Sequence, residues 1–388
     1  MVAFTLSGDP LRNVGGMLVS LYKSAQTGAD LSRICQARIR LDFCWVQGFN
    51  CFSISNGIGC SPTNESGDSF SLKQEWTPSE MNIDTSGWID LQVNGFLGAD
   101  FSAPDLTLQQ IRDVTTALRE RGTSAYCPTL VTSAPGVFER NLPIFAQAMR
   151  EDGVREHLAG IHLEGPFLCP PSNGAHALRW LTPPDAARFD AWQRLAEGAI
   201  RILTLAPEAP GAIELIRHAV RQGVVVSLGH HLAGDDVIAR AVDAGATLCT
   251  HLGNGIANTL PRHPNPIWTQ LAEDRLTACF IADGHHLPAN FLRVARRAKG
   301  LDRFIVVSDS AGIAGLPPGS YHYMDSDVVI EPSRRIIIAG SANGGAPTLA
   351  GSSSTLADCM RHLASLGDWS EDDLIQVGRR NPARVLGI

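Results

Sequence analysis

The sequence predicts an α/β protein built on a (β/α)8, TIM-like barrel, and three observations carry that expectation. Eight short apolar runs alternate with amphipathic stretches of helical period over about 225 residues. No glycine-rich phosphate fingerprint follows the first run, as it would in the alternative, a doubly wound open sheet. Polar, chemistry-bearing residues stand at the C-terminal ends of many runs, which is where barrels of this kind carry their sites.

Regular pattern begins at Gly87. Trp88-Ile-Asp-Leu-Gln-Val-Asn94 alternates in character and reads as the first strand. Thr107-Leu-Gln-Gln110 offers a capping box, and Ile111, Val114 and Leu118 follow at helical spacing until Gly122. Further strands are expected at 124–131, 158–164, 199–206, 224–229, 246–251, 276–282 and 303–309. Helices at 136–150, 184–197, 211–222, 235–244, 265–274 and 288–299 lie between most of them. Runs this apolar suit strands buried on both faces, joined by right-handed crossovers into a parallel sheet. Beyond the eighth strand, Tyr321–Glu331 and Arg335–Gly340 alternate enough for a hairpin. Helices are then expected at 353–366 and from a Ser370 cap to about Arg380, before the chain stops at Asn381–Ile388.

Residues 1–84 show little sustained period. Cys35, Cys44, Cys51 and Cys60 fall there among Gly, Ser and Asn, at spacings that match no usual zinc module. An atypical, poorly ordered segment over 1–84 and a barrel over 85–388 are therefore expected.

Composition excludes several classes. An apolar share of 44% with 18% charged residues is that of a globular chain, and a net charge of −7 leaves no basic footprint for nucleic acid. No run approaches the eighteen apolar residues of a membrane span. Asp9, Pro10 and Arg12 interrupt the mildly apolar start, which has no basic n-region, so a signal peptide is not expected. Nine cysteines without CxxC spacing fit free thiols in a reducing compartment, with the cytoplasm as the default.

Glu164 ends the run Gly160-Ile-His-Leu and precedes Gly165-Pro166. A carboxylate where a buried strand stops is placed for chemistry, although such a Glu can equally be a turn residue or an ion-pair partner. Its company favours chemistry: Gly229-His230, Thr250-His251 and Ser308-Asp309 each end a later run. His230 and His251, on consecutive strands, would point into one barrel mouth, whereas alternation sends His231 and His285 away. One carboxylate and two imidazoles suit a divalent cation with an open position for water, whose pKa zinc lowers to about 7. Asp309 can take a proton from that water and pass it to a leaving nitrogen, or else cap the next segment. His286 can polarise a carbonyl or hold an oxyanion; Asp283 nearby also fits a turn.

The motifs in order are GWIDLQVNG (87–95), GIHLEGPF (160–167), NGAH (173–176), LAPE (205–208), SLGHH (227–231) and THLGNGIAN (250–258). They continue with IADGHH (281–286), VVSDSAGIAGLPPGSY (306–321), LAGSSSTLAD (349–358) and NPARVLG (381–387). On these the chain resembles the N-acetylglucosamine-6-phosphate deacetylase family of the metal-dependent amidohydrolases. The resemblance implies Glu164, His230 and His251 as metal ligands, Asp309 as general base and then acid, and His286 at the acetamido carbonyl. It places His176, Asn254 and Gly255 along the sugar phosphate. It also implies a homodimer in which Arg262, unless it is an ordinary exposed loop charge, completes a neighbour's phosphate site.

Where many amidohydrolases have His-x-His and two metals, this chain has Gln92-Val-Asn94, like the family's single-metal members. Amides are poor zinc ligands, so one divalent ion is expected, zinc before Fe2+ or another metal. The implied substrate is a small amino-sugar phosphate, with neither nucleic acid nor membrane as partner. The stretches Leu252-Gly-Asn-Gly-Ile-Ala and Arg262-His-Pro-Asn-Pro-Ile-Trp268 depart from the family pattern near the phosphosugar, leaving another small N-acyl or cyclic amide as an alternative. The family's small β-sandwich draws on both termini. Residues 1–84 do not read as its strands and its closing strand is not found before Ile388, so that sandwich is expected to be incomplete, and a remnant that binds metal without turnover is a further alternative.

Overall fold

The structure, a computed structural model, describes residues 83–341 and 346–388 together with the strands β1 (Leu41–Val46) and β2 (Phe49–Ile54). Contacts divide the chain into two units, Met1–Leu72 and Lys73–Ile388. In the first, β1 and β2 pair antiparallel, with Leu41 opposite Ile54 and Val46 opposite Phe49. The sequence reading expected no strands there; LDFCWV and FNCFSI carry enough aromatic and β-branched residues to pair without strict alternation. The expectations of poor order and of no zinc module over the rest of 1–82 lie outside the described residues.

The second unit is the expected barrel. Its parallel strands are β3 (Trp88–Val93), β6 (Thr123–Val131), β7 (Ile161–Glu164), β8 (Ile200–Leu205), β9 (Val225–Leu228), β10 (Leu248–Cys249), β11 (Thr277–Ile281) and β12 (Phe304–Val307), paired in that order. A small antiparallel pair, β4 (Gly95–Phe96) and β5 (Ala99–Asp100), follows β3. Seven helices alternate with the strands: α1 (Leu108–Glu120), α2 (Pro135–Ala148), α3 (Ala186–Leu195), α4 (Ala212–Arg221), α5 (Asp235–Asp243), α6 (Pro266–Ala272) and α7 (Ala289–Lys299). Thr107 and Gln110 form the capping box that starts α1, and Ile111, Val114 and Leu118 are its buried stripe.

Two apolar layers hold the barrel. Ile89, Leu91, Cys127, Ile202, Cys279 and Ile305 belong to a cluster inside the strand ring, while Phe138, Trp192, Leu203 and Phe280 belong to the larger layer between strands and helices. The ring closes between β3 and β12. Val93 bridges Ser310 in parallel, the Asp309 amide donates to Gln92 O at 3.0 Å, and the Asn94 amide donates to Ser310 O at 2.8 Å.

Beyond β12 the expected hairpin is a three-stranded meander, β13 (Gly319–Tyr323), β14 (Ser326–Ile330) and β15 (Ile336–Ile338). The stretch Tyr321–Glu331 doubles back on itself because Met324 and Asp325 both take left-handed backbone, with φ of 50° and 61°. Helix α8 (Leu356–Ser365) follows, then the Ser370-capped α9 (Glu371–Ile375), a wide turn at Gln376–Arg380, and α10 (Asn381–Leu386). The terminal NPARVLGI is therefore structural: Leu386 belongs to the same apolar cluster as Ile89 and Ala159.

Asp90 sits on the closing seam, 1% exposed, its Oδ1 accepting from the amides of Gln92 and Ser308, both at 3.2 Å. Burial first, opposed by these donors, pushes its carboxyl up to about 7. A folded-state pKa above the unfolded value means its contribution to stability is fully present below about pH 4 and is lost as pH rises through about 7. Asp90→Asn removes that titration. In urea unfolding, the stability of Asp90→Asn relative to the native chain should improve from pH 5 to pH 8; a difference independent of pH would refute the assignment.

Candidate active site

Glu164 ends its barrel strand, His230, His251, Asp309 and His286 follow the C-terminal ends of theirs, and all five line one cavity of about 460 Å³. Glu164 Oε1 lies 2.8 Å from His251 Nε2 and 3.1 Å from His230 Nε2, and the two imidazole nitrogens are 3.1 Å apart. All three side chains are at most 5% exposed. His230 Nδ1 donates to Ser172 O at 2.9 Å, which leaves Nε2 a lone pair. Burial alone would raise the Glu164 carboxyl, but the His230 and His251 rings within 3.1 Å of it outweigh that and hold it well below its ordinary value. Burial would likewise lower His251, yet the Glu164 carboxylate raises it.

Three ligand atoms that converge at 2.8 to 3.1 Å mark a place that a cation fits, so the donor set suits a divalent metal. His176 stands alongside, its ring 4.5 Å from that of His230. Glu164, His176 and His230 also offer ligand atoms within 4.8 Å of one another, but the triangle with His251 is tighter. Burial, then the charge of His230, lowers His176 to about 3, so it is neutral there.

Left-handed backbone at His230 (φ 52°), His251 (φ 28°) and Asp309 (φ 51°) turns these side chains inward where their strands end. Gln92 Nε2 donates to Glu164 Oε2 at 2.9 Å and to Asp309 Oδ1 at 3.0 Å, and Asn94 Nδ2 donates to the same Oδ1 at 2.8 Å. Burial first, then the Glu164 charge, pushes Asp309 up to about 6. The sequence reading weighed Gln92 and Asn94 only for the metal they cannot ligate. Their spacing of two on one strand is the signal that both share the face of the site.

Asn254 and Gly255 line the cavity in the loop after His251. Arg262, further along that loop, is exposed and does not line it. His231 and His285 do not line it either. Met324 and Leu349 line it from the segment beyond the barrel, as periodicity within the barrel could not foretell. Beneath the site His162 Nε2 meets Thr204 Oγ1 at 2.7 Å, and Thr204 and Ser227 each meet Thr250 Oγ1 at 2.6 Å, a buried polar layer that the alternation did not reveal.

An eight-stranded barrel whose C-terminal mouth gathers one acid, two imidazoles and a separate buried carboxylate has the make-up of an amidohydrolase. No family model matches the chain. The N-acetylglucosamine-6-phosphate deacetylase of Bacillus subtilis is 33% identical over 78% of this chain and 75% of its own length. The N-acetylgalactosamine-6-phosphate deacetylase of Escherichia coli O157:H7 is 30% identical over 78% and 77%. The solved N-acetyl-D-glucosamine-6-phosphate deacetylase of Mycobacterium smegmatis superposes with a TM-score of 0.70 at 30% identity, over 78% of each chain. A mutant of that enzyme was solved in complex with N-acetyl-D-glucosamine-6-phosphate. The chain belongs to the N-acetylglucosamine-6-phosphate deacetylase family, and a divalent metal goes with that membership.

Because carboxylate and imidazole ligands must be deprotonated to hold a cation, its affinity should fall as pH falls, with proton release on binding. Calorimetric titration of metal-stripped protein in buffers of different ionisation heat measures both. Gln92→Leu, which unties Glu164 and Asp309, should cost about 10- to 100-fold in metal affinity or activity. An unchanged affinity together with unchanged turnover would show that the amide orients nothing.

Proposed function

We propose that the protein hydrolyses N-acetylglucosamine 6-phosphate to glucosamine 6-phosphate and acetate. The observation that carries this reading is the Glu164–His230–His251 triangle sharing a cavity with Asp309 and His286. Glu164, His230 and His251 would hold one divalent ion, zinc by preference for two imidazoles and a carboxylate. When bound, the ion supplies Lewis acidity at its open position.

The chain's own groups do the rest. Gln92 and Asn94 both donate to Asp309 Oδ1, which leaves Oδ2 to take the proton of the attacking water and return it to the departing nitrogen. His286 faces the acetamido carbonyl and steadies the charge that develops on its oxygen. His176, Asn254 and Gly255 lie along the sugar phosphate. The described cavity lining contains no Lys or Arg, and Arg262 is exposed, which supports a homodimer in which Arg262 reaches a neighbour's phosphate. Among the described residues no helix is long and apolar enough to cross a membrane. Cys127, Cys249, Cys279 and Cys359 are free and buried, in keeping with a cytoplasmic protein.

The same absence of a lining cation favours a second reading, an unphosphorylated N-acyl substrate. Acetate release from N-acetylglucosamine 6-phosphate, its galactosamine epimer and free N-acetylglucosamine, with zinc present, separates these. Release from the first is expected; no release from it by folded, metal-loaded protein would sink the proposal. Asp309→Asn should lower kcat by about 10²- to 10⁴-fold while KM and bound metal change little.

A further inference from the structure

The IADGHH and LAGSSST segments meet at a buried carboxylate whose role the reaction outlined above leaves open. Asp283 has a side chain 1% exposed, against 7% for His286. Its Oδ1 accepts from the amides of His285 and His286 at 2.8 and 2.9 Å. Its Oδ2 meets His286 Nδ1 at 2.8 Å and accepts from Ser352 Oγ at 3.1 Å. Burial alone would raise this acid, but the His286 ring and the backbone donors outweigh it and hold it well below its ordinary range.

Ser352 is tied on several sides. Its hydroxyl also accepts from the Ser354 amide at 2.9 Å, its amide donates to Asp309 O at 2.9 Å, and its carbonyl accepts from the Ala311 amide at 2.9 Å. Gly284, at φ 80°, makes the tight turn possible, since a Cβ there would lie 2.8 Å from the His362 ring. One short segment beyond the barrel is thus pinned to both Asp283 and the backbone of Asp309.

We propose that Asp283, oriented by Ser352, is the positioning residue of His286: it holds Nδ1–H and balances the charge of a ring protonated at both nitrogens, so that Nε2–H is the donor presented to the acetamido oxygen. An ionised Asp283 can only accept, so Nδ1 must donate. The ring's charge then lies beside a carboxylate already in place. This rests on the proposed role of His286, but its first test does not require turnover.

In the full-length, metal-loaded protein labelled with 15N-histidine, and assigned by comparison with His286→Gln, His286 should carry a proton on each ring nitrogen. In Asp283→Asn, whose side-chain amide can donate to Nδ1, the ring should be neutral with its proton on Nε2, a weaker donor, and kcat should fall about 10²- to 10⁴-fold with KM and metal content nearly unchanged. Ser352→Ala is the milder variant. It should keep both protons but lose part of kcat, and it serves if Asp283→Asn does not fold. A neutral ring in the native chain, or folded variants with native spectra and kcat, would overturn the proposal. If the native chain released no acetate at all, the proposed function would fail, while the nitrogen spectra would still decide the role of Asp283.

Discussion

Three ligand atoms that repel one another when bare, Glu164 Oε1 and the Nε2 atoms of His230 and His251, are held within 3.1 Å inside a protein. Such a cluster is unfavourable unless positive charge sits at its centre, whether a proton or a metal ion. Much of the mouth of the barrel is arranged to enforce that crowding. Ser172 O takes the far nitrogen of His230, Gln92 takes the far oxygen of Glu164, and the buried hydroxyls of Thr204, Ser227 and Thr250 pack the floor. Left-handed backbone at His230, His251 and Asp309, a conformation worth about 1–3 kcal/mol of strain each, is part of the cost.

Electrostatics then divides the two carboxylates. Glu164 is held ionised by two imidazoles, while Asp309, deprived of water and facing the charge of Glu164, is raised. Two like groups in one cavity are driven apart in basicity, one toward binding a cation and the other toward carrying a proton. The amides of Gln92 and Asn94 make this separation geometric as well, because both converge on one oxygen of Asp309.

Much of this was legible in the sequence. Barrel strands announce themselves as apolar runs, and a side chain that ends such a run has few places to go but the mouth, so Glu164, His230, His251 and Asp309 could be found from position alone. Contacts made by irregular chain were not legible. Ser172 offers a carbonyl, Ser352 a hydroxyl, and Met324 lies at a turn, and none of these is marked by period or spacing. The meander at Gly319–Ile338 was half seen, since alternation continues through a turn that only backbone handedness reveals. The β1–β2 pair was missed because its residues suit a sheet without alternating.

The seam between β3 and β12 has a consequence for how the molecule is made. Gln92 and Asn94 leave the ribosome more than two hundred residues before Asp309, the partner they grip. A growing chain therefore has neither an oriented proton carrier nor a closed ring until its last barrel strand emerges, and both arrive together. Contacts this distant along a chain form late. A polypeptide abandoned before Asp309 would carry the residues of the Glu164–His230–His251 triangle without the group that moves the proton.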